Sequence, residues 1–407
     1  MQGSSLSSIY IILMSIAFTR YFGNYDVSNK VQLIIGALWI GIATIAKLSK
    51  STIIKKNSDV MWFSKMFIMP EIILHIYSIF LIAIGVVDTK FLTTNATTYI
   101  PILAALFAVE MFKEKALRYS VISIVISWLV SAVSIIFAKG FQVIRYAFIQ
   151  TFIDHKAVIN GITRNYFELH DLVLALGYLI CFYFFTNQKI TRKNVVGTII
   201  VIAILSLGLK RITLLGVFAA YGFYHFLKNK PSLVRYRFGI ATGYVILALS
   251  YLFVFMLANG GEFLSKIESM GINTMGRSTI FLLAMNMAEF SPGFLGIGRN
   301  VLNDYFFREI APRYRVAAVH SDILKIYIEN GFIMFGVWLL LYNIVLPKKI
   351  KKRFGEPVTF FYLVINIYRF CMYFTDNTEN YFICTMLSII LPMIFALKFK
   401  KQQAVEV

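Results

Sequence analysis

The chain has few of the residues from which soluble catalytic centres are built. Cysteine occurs three times in 407 residues, at Cys181, Cys371 and Cys384, each inside an apolar run. No two of them have disulfide-like or metal-like spacing, which argues against a disulfide scaffold and a thiolate metal site. Histidine is as scarce, with five copies. No His, Cys, Asp and Glu cluster at metal-ligand intervals, so no metal is inferred. Charged residues make up only 15% of the chain, and no polar interval is large enough for an ATP- or nucleotide-sugar-binding domain. Internal repeats and low-complexity tracts are missing too.

What the chain has is apolar surface. It is 58% hydrophobic and 16% aromatic, whereas soluble domains are about 45–50% apolar. The apolar residues come in runs of about 17–22, the length that crosses a hydrocarbon core. A transmembrane barrel would show short alternating segments instead. The expectation is an all-α, polytopic membrane protein of about twelve spans. They run over 5–22, 31–48, 66–87, 96–112, 119–138, 169–186, 195–209, 212–227, 238–258, 322–346, 358–374 and 380–397. No charged n-region precedes the first run, so Ser5–Phe22 is read as a retained span.

The net charge of +20 would suggest nucleic acid in a soluble protein. Here the cations cluster between spans, at 47–65, 113–118, 187–194, 228–237, 347–356 and in the tail KFKKQQAVEV. These intervals hold more than half of the 40 Lys and Arg, and all fall on one side if both termini share it. The positive-inside rule makes that side the cytoplasm, and nucleic acid is not an expected partner. The expectation is a bacterial cytoplasmic (inner) membrane protein with both termini inside. It is read as one integral membrane domain, 1–407, with two long extracytoplasmic loops, 139–168 and the larger 259–321.

The larger loop belongs to the longest stretch that cannot cross a membrane, Asn259–Gly331. It carries the most chemistry. In GLKRITLLG, Lys210 and Arg211 break the positive-inside pattern at a very short turn. They are either interfacial cations or a grip for an anionic headgroup. Arg277, in MGRSTIFLLAMNMAEF, is expected in the first turn of a short amphipathic helix at the outer interface, where a phosphate could also bind. SPGFLGIGRN is a Pro/Gly turn that shapes a tight loop, with Arg299 as a secondary cation. A GxG without the flanking strand and helix is no nucleotide site.

His320, in AAVHSDILKIYIENGF, stands where the loop re-enters the membrane and is followed by Asp322. Neutral imidazole there could take a proton from an attacking hydroxyl or hydrogen-bond the reacting groups. Glu329, Asn330 and Gly331 are expected to mark an irregular helix start. Arg369 lies within an apolar run, with Asp376 and Glu379 in the turn beyond. Either carboxylate could pair with Arg369 or act as a base. Glu71 and His75, in IMPEIILHIYS, are one helical turn apart, either a buried structural pair or a proton relay. His155 belongs to the first long loop, and His170 and Asp171 adjoin its end.

GLKRITLLG, GRSTIF with PGFLGIG, and VHSDILKIYIENGFIMFG together resemble the motifs of the Wzy/O-antigen ligase superfamily of bacterial envelope glycosyltransferases. The resemblance is strongest over 205–332. It departs at Lys210, where the family usually has Ser. It implies a GT-C-like bundle and a polyprenyl (undecaprenyl) pyrophosphate-linked glycan as donor, with no metal, nucleotide or other cofactor. By that resemblance Arg211 and Arg277 would bind the pyrophosphate and His320 would lie at the acceptor side; the residues themselves add Lys210, Arg299 and Arg369 as candidate pyrophosphate cations. His320, Asp376 and Glu379 are the candidates on the acceptor side.

The expected activity is that of a metal-independent inverting polysaccharide polymerase. It would move a growing glycan onto a lipid-linked repeat unit for capsule, exopolysaccharide or O-antigen. The alternatives are the sister ligase and a lipid-linked oligosaccharide flippase. Membrane lipids surround the chain, and the expected partners are a chain-length regulator and a flippase.

Overall fold

The computed structural model describes residues 3–20, 25–49, 58–91, 97–153, 166–167, 169–186, 211–259, 266, 269–270, 277–314 and 318–405. All regular structure among them is helical. In chain order the helices are α1 (Gly3–Phe18), α2 (Tyr25–Ser49), α3 (Ser58–Ala83), α4 (Tyr99–Phe112), α5 (Lys115–Lys139), α6 (Gln142–Phe152), α7 (His170–Thr186) and α8 (Arg211–Leu227). They continue with α9 (Ser232–Ala258), α10 (Arg277–Met285), α11 (Val301–Tyr305), α12 (Ala311–Tyr314), α13 (Asp322–Leu340), α14 (Leu346–Phe354), α15 (Glu356–Tyr373) and α16 (Phe382–Val405).

Among the described residues, six stretches are long and apolar enough to cross a membrane: Ser28–Ser49, Asp59–Ala83, Lys115–Lys139, Ser232–Ala258, Asp322–Phe354 and Phe382–Ala404. They make the chain an α-helical membrane protein. Shorter apolar helices cover Ser5–Phe18, Tyr99–Phe112, Asp171–Thr186 and Ile212–Leu227. The expected segment 195–209 lies outside the described residues. On α2, Ile34, Leu38, Ile45 and Leu48 are exposed, an aliphatic stripe at helical spacing that only lipid covers without cost.

The chain divides into two compact units. One comprises 1–64, 100–225 and 381–407; the other comprises 65–99 and 226–380. The first is held by small residues and buried polar bonds, because apolar side chains gain little by leaving lipid for protein. Ser120, Ser123, Ser127 and Ser131 recur along one buried face of α5. Tyr10 of α1 hydrogen-bonds Ser120 at 2.8 Å, and Ser123 donates to the Ile11 carbonyl at 3.2 Å. Just after α1, Arg20 donates from Nε to Asp171 Oδ1 at 2.9 Å, and its Nη2 lies 2.7 Å from Oδ2. This fork-to-fork pair is almost fully buried. The expected loop 139–168 opens with the α6 helix; residues 154–165 and 168 lie outside the described residues.

In the second unit α15 is buried along nearly its whole length, Asn366 and Arg369 included. Its polar groups find partners inside the protein, as Asn366 does on Asn343 at 2.8 Å. The stretch 259–321 contributes α10, α11, α12 and a glycine loop to this unit. Helix α10 is not a solvated surface helix. Ser278, Ile280, Phe281, Ala284 and Met285 are buried, and Phe281 packs edge-on against Phe253 of α9 at 5.9 Å.

Candidate functional site

The site is assembled around α13. Ser321 is its N-cap, extended at φ −157, and its hydroxyl accepts from the Leu324 amide at 3.2 Å. The sequence signal is ordinary, a Ser followed by Asp at the mouth of an apolar run. The residue before it is not ordinary. His320 has φ +56, the left-handed region that side chains other than Asn, Asp and His seldom enter.

Asp322 then ties α13 to the turn after α15. Its amide donates to the Asp376 carbonyl at 3.1 Å. Its buried carboxylate accepts from the Thr378 hydroxyl and the Glu379 amide, both at 2.9 Å. The Ser321 hydroxyl adds a bond to the Tyr373 carbonyl at 3.3 Å. Two segments that carry candidate residues, 320–322 and 373–379, are therefore joined by hydrogen bonds.

Nine residues on, α13 breaks. Gly331 has φ +74 and ψ 177, a conformation open essentially to glycine alone. Sequence alone suggested a helix start over 329–331. The irregularity instead interrupts a helix already running from Asp322. The break frees the carbonyls of Ile328 and Glu329, and the SPGFLGIG loop fills the gap. Ile297 donates to Ile328 at 3.0 Å and Gly298 to Glu329 at 2.9 Å, while the Phe332 amide reaches the Phe294 carbonyl at 2.9 Å. At Gly296 a Cβ would lie 2.6 Å from the Glu329 carbonyl oxygen, so no side chain fits. From α3, Tyr77 Oη donates to the Leu295 carbonyl at 2.7 Å.

The loop ends on Arg299, which is buried and paired with Glu71 of α3 at 2.5 Å. Burial opposes the guanidinium charge. The carboxylates of Glu71 and Glu379 outweigh it and hold the group above its ordinary range. Glu379 stands between two cations, 3.9 Å from Arg299 and 3.8 Å from Lys325. Tyr342 donates to Glu71 at 3.3 Å, and the Arg369 guanidinium lies 4.2 Å from the Tyr342 ring centre. Arg369 also donates to Tyr373 Oη at 2.5 Å. Among the described residues no group of His, Cys, Asp and Glu could hold a metal.

The candidate residues fare differently. His320, Asp376 and Glu379 lie on the two joined segments. Asp376 is fully buried, its carboxylate capping the Asn377 amide at 2.9 Å. The Glu379 side chain keeps 11% exposure, which makes it the more reachable carboxylate. Arg299 and Arg369 are enclosed by protein partners, a carboxylate and two tyrosines. Arg277 opens α10 and is half-buried. Arg211 opens α8, in the other compact unit, and Lys210 lies outside the described residues.

Comparison with family models, curated proteins and solved structures gives no match.

Sequence reasoning passed over Asp322 and Lys325 as site residues, and took Glu329 for a marker of backbone irregularity. All three are buried in α13. Their spacing, three and then four residues, puts them on one helix face, which was a usable signal in an otherwise apolar run. Glu71 and His75 do share a helix turn. Glu71 pairs with Arg299 and accepts from Tyr342, while His75 packs against the Tyr99 ring at 5.9 Å.

Proposed function

We propose that the protein is a glycosyltransferase of the bacterial cytoplasmic membrane, a polysaccharide polymerase with a GT-C-like bundle of about twelve spans and both termini inside. One observation supports the reading above others. Two of the three segments that resemble the Wzy/O-antigen ligase superfamily, PGFLGIG and HSDILKIYIENG, are distant in sequence yet bonded backbone to backbone. Arg299, at the end of the first, lies 3.9 Å from Glu379, and His320, at the start of the second, is two residues from Asp322, which accepts from the Glu379 amide.

The chemistry needs little more. The acceptor hydroxyl oxygen attacks the anomeric carbon of the donor glycan as the bond to the pyrophosphate oxygen breaks. The leaving polyprenyl pyrophosphate takes that electron pair, and Arg277 balances its charge. The hydroxyl proton passes to His320 or Glu379. Single displacement inverts the anomeric configuration. Neither metal nor nucleotide enters the step.

The test is reconstitution of the purified chain with its lipid-linked repeat unit in detergent, with EDTA and without nucleotide. Wild type should give a polymer ladder on a gel, and Arg211→Ala, Arg277→Ala and His320→Ala should each give a much weaker one. A ladder that survives all three changes at full strength keeps the activity and discards the site. One observation favours a second reading. Glu71 and Arg299 are buried charges beside an interrupted helix, an arrangement common in transporters. A chain that makes no ladder but moves the lipid-linked unit across liposomes is a flippase.

A further inference from the structure

We infer that Asp322 is a positioning residue for this site, holding His320 and Glu379 in place without taking part in proton transfer; the inference rests on the glycosyltransferase reading. Three observations carry it. Asp322 is fully buried in one of the two segments that hold the acceptor-side candidates and is bonded to the other. One carboxylate oxygen, Oδ2, takes both side-chain bonds, from Thr378 and from the Glu379 amide, while the Asp322 amide reaches Asp376. The residue two positions before it, His320, sits in a backbone conformation that costs energy and persists only where its surroundings impose it. The Ser321 cap and the Asp322 bonds are such surroundings: they fix the first turn of α13 onto the 373–379 turn.

The same geometry separates positioning from catalysis. Oδ2 is committed to two hydrogen bonds, and Oδ1 is enclosed by protein without a hydrogen-bond partner, so neither oxygen is exposed to an acceptor sugar. An asparagine can take its place, because an amide oxygen accepts from both Thr378 and the Glu379 amide. The charged neighbours of Asp322 are Glu379 and Lys325. An alanine removes both bonds and leaves the Thr378 hydroxyl and the Glu379 amide unpaired inside the protein.

The experiment compares Asp322→Asn, Asp322→Ala and Thr378→Val in the full chain. Activity on the lipid-linked repeat unit is read as kcat and KM. The ring signals of labelled histidine are recorded by solid-state NMR, with His320 assigned through His320→Gln. The expected result is an Asp322→Asn enzyme within about threefold of wild type and an unmoved His320 signal. Asp322→Ala should lose kcat by about a hundredfold at constant KM and shift that signal. Thr378→Val, which removes one bond and folds more readily, should fall between.

An Asp322→Asn enzyme as dead as Asp322→Ala, with His320 unmoved, makes Asp322 itself a proton carrier and overturns the inference. So does an Asp322→Ala enzyme of normal kcat and spectrum. If wild type makes no polymer, the functional reading fails. The NMR comparison then still decides whether Asp322 holds His320, with an equal signal in the Ala and Asn variants as the adverse result.

Discussion

Arg299 and Glu71 are 228 residues apart in sequence and 2.5 Å apart in the fold, both almost without exposure. The pair turns the glycine loop from a flexible connection into a part packed on α3. It also leaves the Arg299 guanidinium bound to a carboxylate of the protein. A buried charge left without its partner costs about 3–5 kcal/mol, more than the pair itself contributes. Arg299→Leu and Glu71→Leu should each lower the thermal midpoint in detergent by a wide margin. The double variant should lose clearly less than the sum of the two. Additive losses would mean that the pair is not coupled. Loss of activity at unchanged stability in Arg299→Leu alone would return Arg299 to the substrate.

The glycine loop yields a second expectation. Gly331 combines a conformation reserved for glycine with close backbone contact to Phe294 and Leu295. Gly331→Ala adds about 1–3 kcal/mol of backbone strain and forces the loop off the Ile328 and Glu329 carbonyls. It should yield little folded protein by size-exclusion chromatography. Gly222, whose Cβ direction meets nothing within 4 Å, is the control: Gly222→Ala should elute as wild type does. Equal behaviour of the two variants would show that the loop does not depend on the break.

How far the sequence led depends on the kind of signal. Apolar runs announce membrane helices directly, because each must present about 20 apolar residues to lipid. The break at Gly331 was visible as a cluster of Glu, Asn and Gly in an apolar context. Its true character was not, since the carbonyls it frees are met by amides some 30 residues upstream, as Gly298 shows on Glu329. Arg369 was legible as an intramembrane charge. That two tyrosines, Tyr342 and Tyr373, would face it was not, because pairing across helices leaves no periodicity in a single chain. The same holds for Asp322, whose partners lie 56 and 57 residues away.

Arg277 is the proposed phosphate ligand in the second unit. It stands in the first turn of a helix, only half-buried. A charge-assisted hydrogen bond to a pyrophosphate oxygen is worth about 1.5–3 kcal/mol, or roughly ten- to hundredfold in kcat/KM. Arg277→Ala should lose that much on the lipid-linked donor, and Arg277→Lys, which keeps charge without the fork, should recover part of it. An unchanged kcat/KM in Arg277→Ala would move donor binding elsewhere.

The buried pair in the first unit makes a different prediction, because nothing in the proposed chemistry uses it. Arg20 and Asp171 meet through two contacts, at 2.9 and 2.7 Å, and both side chains are almost wholly enclosed. Asp171→Leu should cost about 3–5 kcal/mol of stability, read as a lower melting temperature. The folded fraction should keep the wild-type KM for the lipid-linked donor.

Helix α9 offers the cleanest test of orientation. It runs from the basic stretch 228–237 to Asn259 and carries no acidic residue and no Lys or Arg after Arg237. If the positive-inside bias sets the topology, a reporter fused after Lys230 should behave as the C-terminal fusion does. One fused after Asn259 should behave oppositely. Green fluorescent protein should therefore glow at Lys230 and at the C-terminus, and alkaline phosphatase should be active only at Asn259. The same compartment for Lys230 and Asn259 would mean that α9 does not cross. Opposite compartments for Lys230 and the C-terminus would break the assignment of both to one side, and with it the placing of 259–321 on the face where lipid-linked glycans are polymerised.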